Sequence, residues 1–554
     1  MSTPISNEPI PFQIQLPEKP AELTKALFPL HRLIEQSYAK LPWPSQMKQI
    51  LVITNVSGGR GDIAAAAKAI GVMQNIAPEA TFDWIVTSGD KHPPIPFLSC
   101  KDPSQVHSRH WPSKPSDESQ ADLLLTGPVP LTWDNNYIER KIQRKIAGPT
   151  FGFNENAAEL KGFGNVKKAI QIKIASSWLE NPKEFHLTMF PASSDEHGQL
   201  PMGLEKGSGV FLDRSRIEAP KSRGYCCPTY LSKIEDASLR EDILEALGSS
   251  EPNYDRYSFN SGYAHHVEVS WGKFIDCVAI HEQDKHVVIV ANQEGEFTKL
   301  QTSAFCNQVF FTSERVAFLK EKGFGTITLK GKGDEVFTIL KETEASPGRK
   351  LTILVRPSFT PQDMKYLQLA SERLLSTGDN SAVEAWCSRC KLYLYEDVDN
   401  AGCKWRFLQQ QVDVAQTISP NLSRLLALFG GDRRLPDPHL NTPLNKEKMH
   451  EMESLLMKKD LSEATLKFCE HITEHYSFEE VLQSALKRTA WCHLAPELAD
   501  IESNALGDQF RQSLIDYLLT PQPVELTINR SKLQDLTKQI EEVVEKHIAK
   551  KTAD

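Results

Sequence analysis

The residues best suited to chemistry fall in one short stretch, Thr377-Gly378-Asp379-Asn380-Ser381, with Glu384 three positions later. Arg373-Leu374-Leu375-Ser376 reads as a strand entering this loop, 382–390 as a helix leaving it, and Leu392-Tyr393-Leu394-Tyr395 as the next strand. A strand, a polar glycine turn and a helix make an anion site. The glycine lets the backbone come close, and the amides at the helix start point at phosphate oxygens. Ser381 adds a hydroxyl donor, and a carboxylate at Glu384 can accept both hydroxyls of a ribose. The same residues also suit an ordinary turn, with Ser381 as N-cap and Glu384 as a favourable first-turn charge.

A second glycine turn, Ser57-Gly58-Gly59-Arg60-Gly61-Asp62, follows the apolar β-branched run Ile50-Leu51-Val52-Ile53-Thr54 and precedes an alanine-rich helical pattern over 63–76. Asp62 at that helix start is a carboxylate able to take a proton from an attacking group; it is equally natural as an N-cap. The turn lacks GxGxxG spacing, and no acidic residue ends the following strand at 82–86, which argues against a dinucleotide-dependent oxidoreductase.

These sites need α/β scaffolds. The series strand 50–54, helix 63–76, strand 82–86 is a βαβ unit, with further strands expected at 123–125, 186–190 and 210–212 and a surface excursion over 91–120. A second series opens at 257–262 and continues through strands at 286–291, 309–312, 325–330 and 351–356, with a helix over 313–322. After about 418 the pattern turns helical, at 444–457, 461–475, 478–486, 508–519 and 531–551. The expected division is a 1–48 arm with a helix over 21–38, Rossmann-like domains over 49–252 and 253–418, and a helical extension over 419–554.

With 554 residues the chain is too long for one core. A formal net charge of -9 without a large basic block argues against general nucleic-acid binding. The amino terminus has no basic start followed by an apolar run, and no apolar stretch reaches membrane-helix length. A cytoplasmic location is expected, though export by a signal-independent machine would leave no mark. Ten scattered cysteines fit a reducing compartment. Cys387 and Cys390 have CxxC spacing, but no second pair completes a zinc set. Cys226-Cys227, and Cys469 with His471 and His475, are likewise read as packing residues.

The run from Leu351 to Gln411, with Pro361-Gln362, the Thr377–Ser381 loop, and Lys404 with Phe407-Leu408, resembles the carboxyl-terminal half of the bacterial protein-arginine rhamnosyltransferases that modify a translation elongation factor. That family carries a PQ-containing helix, an RGEDS loop and a lysine-containing final helix. Its amino-terminal DNxGDIG turn, in which an aspartate is the general base, is matched here by Gly61-Asp62-Ile63. The resemblance implies a GT-B architecture, two Rossmann-like domains facing across a cleft, and a hexosyl- or deoxyhexosyltransferase using a nucleotide-sugar as co-substrate. It implies Asp62 and Asp379 as catalytic groups, and Gly61, Gly378, Asn380 and Ser381 around the donor. Phe259 or Tyr263, at the end of the strand opening the second series, would stack on the nucleobase, while Arg356 or Lys404 would meet a phosphate. Thr377 stands where the family has arginine, Asp379 is one carbon shorter than its glutamate, and Glu384 is similar to the ribose-binding glutamate of other GT-B enzymes. The expected reaction is metal-independent inverting transfer, with a protein as the expected acceptor. The alternatives are a nucleotide-sugar epimerase or hydrolase on the same fold, and a non-catalytic interaction protein whose long helical extension docks partners.

Overall fold

The computed structural model describes residues 12–18, 23–56, 60–87, 102–110, 120–128, 145–154, 164–187, 199–204, 208–220, 228–248, 255–264, 270–292, 311–331, 336–341, 348–356, 359–396, 404–435, 444–528 and 530–553. The chain divides into two compact units, Met1–Phe211 with Ser477–Asp554, and Leu212–Tyr476.

The first unit opens with β1 (Phe12–Leu16), α1 (Leu23–Gln36), β2 (Gln49–Asn55), α2 (Arg60–Ile76), β3 (Thr81–Thr87), β4 (Val106–His110), β5 (Leu123–Thr126), β6 (Thr150–Asn154), α3 (Gly164–Glu180) and β7 (Gln199–Pro201). β2 to β7 form one parallel sheet in the order β4-β3-β2-β5-β6-β7. The continuous apolar run of β2 is explained by burial on both faces. Ile50 and Val52 pack with Ile63, Ala66, Ile70 and Met73 of α2, while Leu51 and Ile53 face a separate cluster with Ile85 and Leu124. The buried alanines of α2 let the helix lie close to the sheet. β4 falls inside the expected excursion at 91–120. Its sequence, VHSRH, is polar because it is a half-covered edge strand, so no apolar run marks it.

The second unit follows with α4 (Arg214–Ile217), α5 (Ala237–Ala246), β8 (Tyr257–Tyr263), α6 (Gly272–His281), β9 (His286–Asn292), α7 (Ser313–Glu321), β10 (Phe324–Lys330), β11 (Val336–Lys341), β12 (Arg349–Arg356), α8 (Pro361–Ala370), β13 (Arg373–Thr377), α9 (Asp379–Ser388), β14 (Leu392–Glu396), α10 (Lys404–Ile418), α11 (Pro420–Gly430), α12 (Lys446–Leu456) and α13 (Leu461–His475). The sheet order is β11-β10-β12-β9-β8-β13-β14, parallel throughout except for the edge strand β11, which runs antiparallel to β10.

The chain then returns to the first unit as α14 (Phe478–Leu494), α15 (Glu497–Leu506), α16 (Asp508–Leu519), β15 (Val524–Ile528) and α17 (Arg530–Ala553). β1 and β15 pair antiparallel, Phe12 opposite Ile528. Leu27, Leu30 and Ile34 of α1 share a core with Trp491, Leu514, Leu536 and Ile540. Beside it, Arg488 donates to Glu502 at 2.6 and 3.0 Å, and the Tyr38 hydroxyl donates to the same carboxylate at 2.8 Å.

Two Rossmann-like sheets and additional carboxyl-terminal helices are therefore present, but the boundaries differ from those expected. The units meet in sequence at 211/212 rather than 252/253. The 1–48 segment is no separate arm, and the 419–554 helices divide between the units. Residues 185–187 and 311–312 are not strand, and at 210–212 there is a single bridge, Val210 to Ser477; 188–190 and 309–310 lie outside the described residues. No helix among the described residues is long and apolar enough to cross a membrane.

The amino ends of the second sheet hold a buried polar cluster. Arg373 donates from Nε to His281 Nδ1 at 2.8 Å, from Nη1 to Ser258 Oγ at 2.7 Å and from Nη2 to Glu282 at 3.2 Å. Burial, with the Arg373 and Lys391 charges behind it, pushes the His281 imidazole down to about 3. The native ring is therefore neutral, whereas the unfolded chain binds a proton below the ordinary value near 6.5, so stability falls as pH drops from 6.5 towards 3. Between pH 7.5 and 5 the wild type should lose about 2 kcal/mol more than His281→Gln, which keeps an acceptor for Arg373. Urea unfolding of both proteins at the two pH values measures this; parallel losses would contradict it.

Candidate functional site

In the second unit the strand order reverses between β8 and β13. From β8 the chain builds outward through β9, and after β12 it crosses by α8 to β13 on the other side of β8. Ligands of open α/β sheets sit outside the carboxyl ends of the strands at such a reversal. Tyr263 ends β8, Thr377 ends β13 and Glu396 ends β14, with Leu375 paired to Gly262 and Thr377 to Glu396.

The Gly378 turn follows β13 at this point. Gly378 has φ 76° and ψ 152° and caps α9, which begins at Asp379, three residues earlier than its sequence pattern predicts. That conformation is accessible essentially to glycine alone. It turns the chain so sharply that Asp379, Asn380 and Ser381 form the first helical turn, whose amides have no acceptor within the helix. The Ser376 hydroxyl donates to the Ser381 carbonyl at 3.3 Å and ties the strand to that turn. Asp379 is buried, Asn380 and Ser381 are half-buried, and the buried Thr377 hydroxyl has no partner among the described residues. Ser381 is not the N-cap; Gly378 is.

Glu384, in the second turn of α9, keeps 29% of its side chain exposed and pairs with Arg216 of α4 at 3.4 Å. Tyr263 is half-buried at the strand end next to the turn. Phe259 is not at the site. It is fully buried with Val288, Val290, Leu354 and Leu367, because the pleat points it into the core, and no face of its ring can meet a nucleobase. Arg356 is also accounted for structurally. It is buried, pairs with Asp242 of α5, and donates to the carbonyls of Gly331 at 2.7 Å and Val355 at 2.9 Å, so its charge is spent inside the fold. The side chain of Lys404 lies outside the described residues.

In the first unit the strand order reverses between β2 and β5. Asp62 is buried in the first turn of α2, just past the end of β2. The helix starts at Arg60, so Asp62 lies inside it and not at its N-cap. Gly61 has open space where a Cβ would stand. Residues 57–59 of the turn lie outside the described residues.

Three further groups stand at the second sheet's carboxyl edge. The Ser270 hydroxyl, just before α6, donates to the buried Glu396 carboxylate at 2.5 Å. Lys273, in the first turn of α6, donates to the Phe429 carbonyl at 2.6 Å, and burial lowers its amine to about 8 against the pull of Glu396. Gly262 makes the approach possible: a Cβ there would stand 2.6 Å from Leu375 Cβ and 3.1 Å from Trp271. Glu396 ends an aromatic strand and could have been noticed; Lys273 is hidden in an apolar helical run. Cys387, Cys390 and Cys469 are buried, and Cys226, Cys227 and Cys403 lie outside the described residues.

A family model described as "Protein of unknown function (DUF562)" matches residues 270–416, from the start of α6 into α10. Human zinc finger FYVE domain-containing protein 26 is 28% identical over 159 residues, which covers 25% of this chain and 6% of that protein's length. Among solved structures, a glycosyltransferase from Rickettsia africae is 13% identical over 81% of this chain and 99% of its own, with a TM-score of 0.39. The UDP-GlcNAc 2-epimerase from Neisseria meningitidis bound to UDP-GlcNAc is 11% identical over 80% and 99%, with a TM-score of 0.36. A chain from the structure of EarP-mediated arginine glycosylation of translation elongation factor EF-P is 12% identical over 79% and 97%, with a TM-score of 0.35.

The two candidate glycines should respond oppositely to alanine. Gly378→Ala forces a side chain into a glycine-only conformation and should cost about 1–3 kcal/mol. Gly61→Ala, with open space in a helix and no left-handed φ, should be neutral or stabilise by up to about 1 kcal/mol. Differential scanning calorimetry of the pair checks this; equal destabilisation would refute the assignment.

Proposed function

We propose that the chain is a GT-B glycosyltransferase that holds a nucleoside diphosphate sugar at the carboxyl edge of the second unit's sheet. The observation that carries the reading is the Gly378 turn: a glycine-only backbone that heads a ten-residue helix at the reversal of strand order. In this reading the first-turn amides of α9 and the Ser381 hydroxyl receive the diphosphate, whose charge they carry without a metal ion. The match of 377–381 to the rhamnosyltransferase loop supports the same placement. Tyr263 borders the base, and Asp379 is required for turnover.

The reaction proposed is an inverting transfer to a protein acceptor. The acceptor's nucleophilic atom forms a bond to the anomeric carbon as the bond to the diphosphate oxygen breaks, and that electron pair leaves on the nucleoside diphosphate. The acceptor's proton passes to Asp62, the buried carboxylate at the first sheet's reversal.

A thermal-shift screen of UDP-, GDP- and dTDP-sugars tests the binding step. One donor should stabilise the wild type, by about 2.7 kcal/mol at a hundredfold excess over its dissociation constant, and Ser381→Ala should lose part of that shift. Asp62→Asn should keep the shift and lose about 10²–10⁴ in nucleotide release with acceptor present. If every donor leaves the wild type unmoved, the proposal fails; donor epimerised without nucleotide release would favour an epimerase instead.

A further inference from the structure

The ion pair between Arg216 and Glu384 leads one step further, and this step rests on the donor reading above. Arg216 lies in α4, near the start of the second unit, and its side chain is 3% exposed. Its guanidinium is held on every edge. Nε donates to Asp213 at 2.9 Å, Nη2 to Glu384 Oε2 at 3.4 Å, and Nη1 to the Lys365 carbonyl at 3.3 Å and Ser388 Oγ at 3.4 Å. Asp213 is fixed in turn, since its other oxygen accepts from the Arg216 amide at 3.2 Å and the Ser215 hydroxyl at 2.5 Å. A planar fork anchored in α4, α8 and α9 cannot rotate without breaking several bonds, and that rigidity is what arginine offers over lysine.

Glu384 inherits this order. Its Oε2 is held by Arg216, none of the described residues sits on Oε1, and 29% of the side chain is exposed. A carboxylate held in this way is an acceptor with a set direction. The group it complements is a hydroxyl, which can donate; a phosphate offers only acceptors and negative charge. On a nucleoside diphosphate the vicinal hydroxyl pair belongs to the ribose, and a 2′-deoxynucleoside lacks half of it.

We propose that Arg216 is a positioning residue that orients Glu384 to read the ribose, so that the donor is a ribonucleoside diphosphate sugar rather than a thymidine or other 2′-deoxynucleoside one. Arg216 touches no part of the donor and acts through the carboxylate. A site built to accept from a hydroxyl rejects the analogue that lacks it, because the acceptor has lost water and gained nothing.

Calorimetric titration of the full chain with UDP, GDP and their 2′-deoxy counterparts tests this. The wild type should bind its preferred ribonucleotide about ten- to a hundredfold tighter than the deoxy form, the span of one hydrogen bond to a charged group. Glu384→Gln and Arg216→Met should shrink that ratio to about threefold or less, mainly by weakening the ribonucleotide. Arg216→Lys, which keeps the charge without the fork, should fall between. Arg216→Met leaves Asp213 without its partner, so its melting temperature is measured alongside; Glu384→Gln removes no buried group and keeps the test decisive if Arg216→Met fails to fold. Nucleotide binding with equal affinity for ribo and deoxy forms overturns the inference while leaving the donor site standing. So does a folded Arg216→Met with the full ratio. Absence of any nucleotide binding removes both readings.

Discussion

The second unit is organised by where its strand order reverses. β8 is laid down first in its sheet, the chain builds outward from it on one side, and only after β12 does it cross to set β13 on the other. Helices that connect neighbouring strands cover the sheet faces, but at the reversal the connections diverge, so the carboxyl ends of β8 and β13 stand side by side. The Gly378 turn is placed at this point. Its positive φ is the one backbone strain relieved only by glycine there, and it makes α9 begin immediately where the strand stops. Gly262 on the adjacent strand performs a related service, since its bare backbone lets Trp271 and Leu375 close in.

Three buried arginines of this unit show how the fold separates chemistry from scaffolding. Arg373 at the amino end of β13 is absorbed by Ser258, His281, Glu282 and Glu372. Arg356 ends β12, at the carboxyl edge of the sheet, yet turns to Asp242 and two carbonyls. Arg216 also has its charge met, but by a carboxylate that stays partly exposed. A buried charge without partners would be too costly to keep, so each arginine is paired. What differs is exposure: Glu384 keeps 29% of its side chain exposed and Asp213 26%, against 13% for Asp242 and 11% for Glu282.

How far the sequence could be read follows the same division. Strands buried on both faces, such as β2, β9 and β12, announce themselves as apolar runs, and β13-turn-α9-β14 combines such runs with a polar glycine loop. Edge strands carry weaker signals: β4 is polar and half-covered, and β11 alternates on an exposed rim. At single positions, place along the strand and long-range partners decide. Phe259 and Tyr263 lie four residues apart in one strand, yet the first is core and the second stands at the strand end. Nothing local to Arg356 or Arg216 reveals that one meets Asp242 and the other Glu384, because those pairings span more than a hundred residues.

The helical mass after β14 bears on the choice between enzyme and interaction protein. Read as an appended block, it would suggest a docking module. Its helices instead complete both cores. Phe468 of α13 packs edge-on to Trp386 of α9 at 5.9 Å, and Met452 of α12 meets Cys277 of α6. Phe478, Leu482 and Leu486 of α14 join the cluster beneath α2, and Trp491 joins α1 and α17. α9, which follows the Gly378 turn, and α6, which carries Lys273, are the helices these additions pack against, so they brace the candidate site from behind. A segment whose apolar faces are spent on intramolecular cores has little left with which to bind a partner. The argument for a docking role loses its main support, because the burial is spent on completing the cores of the two units.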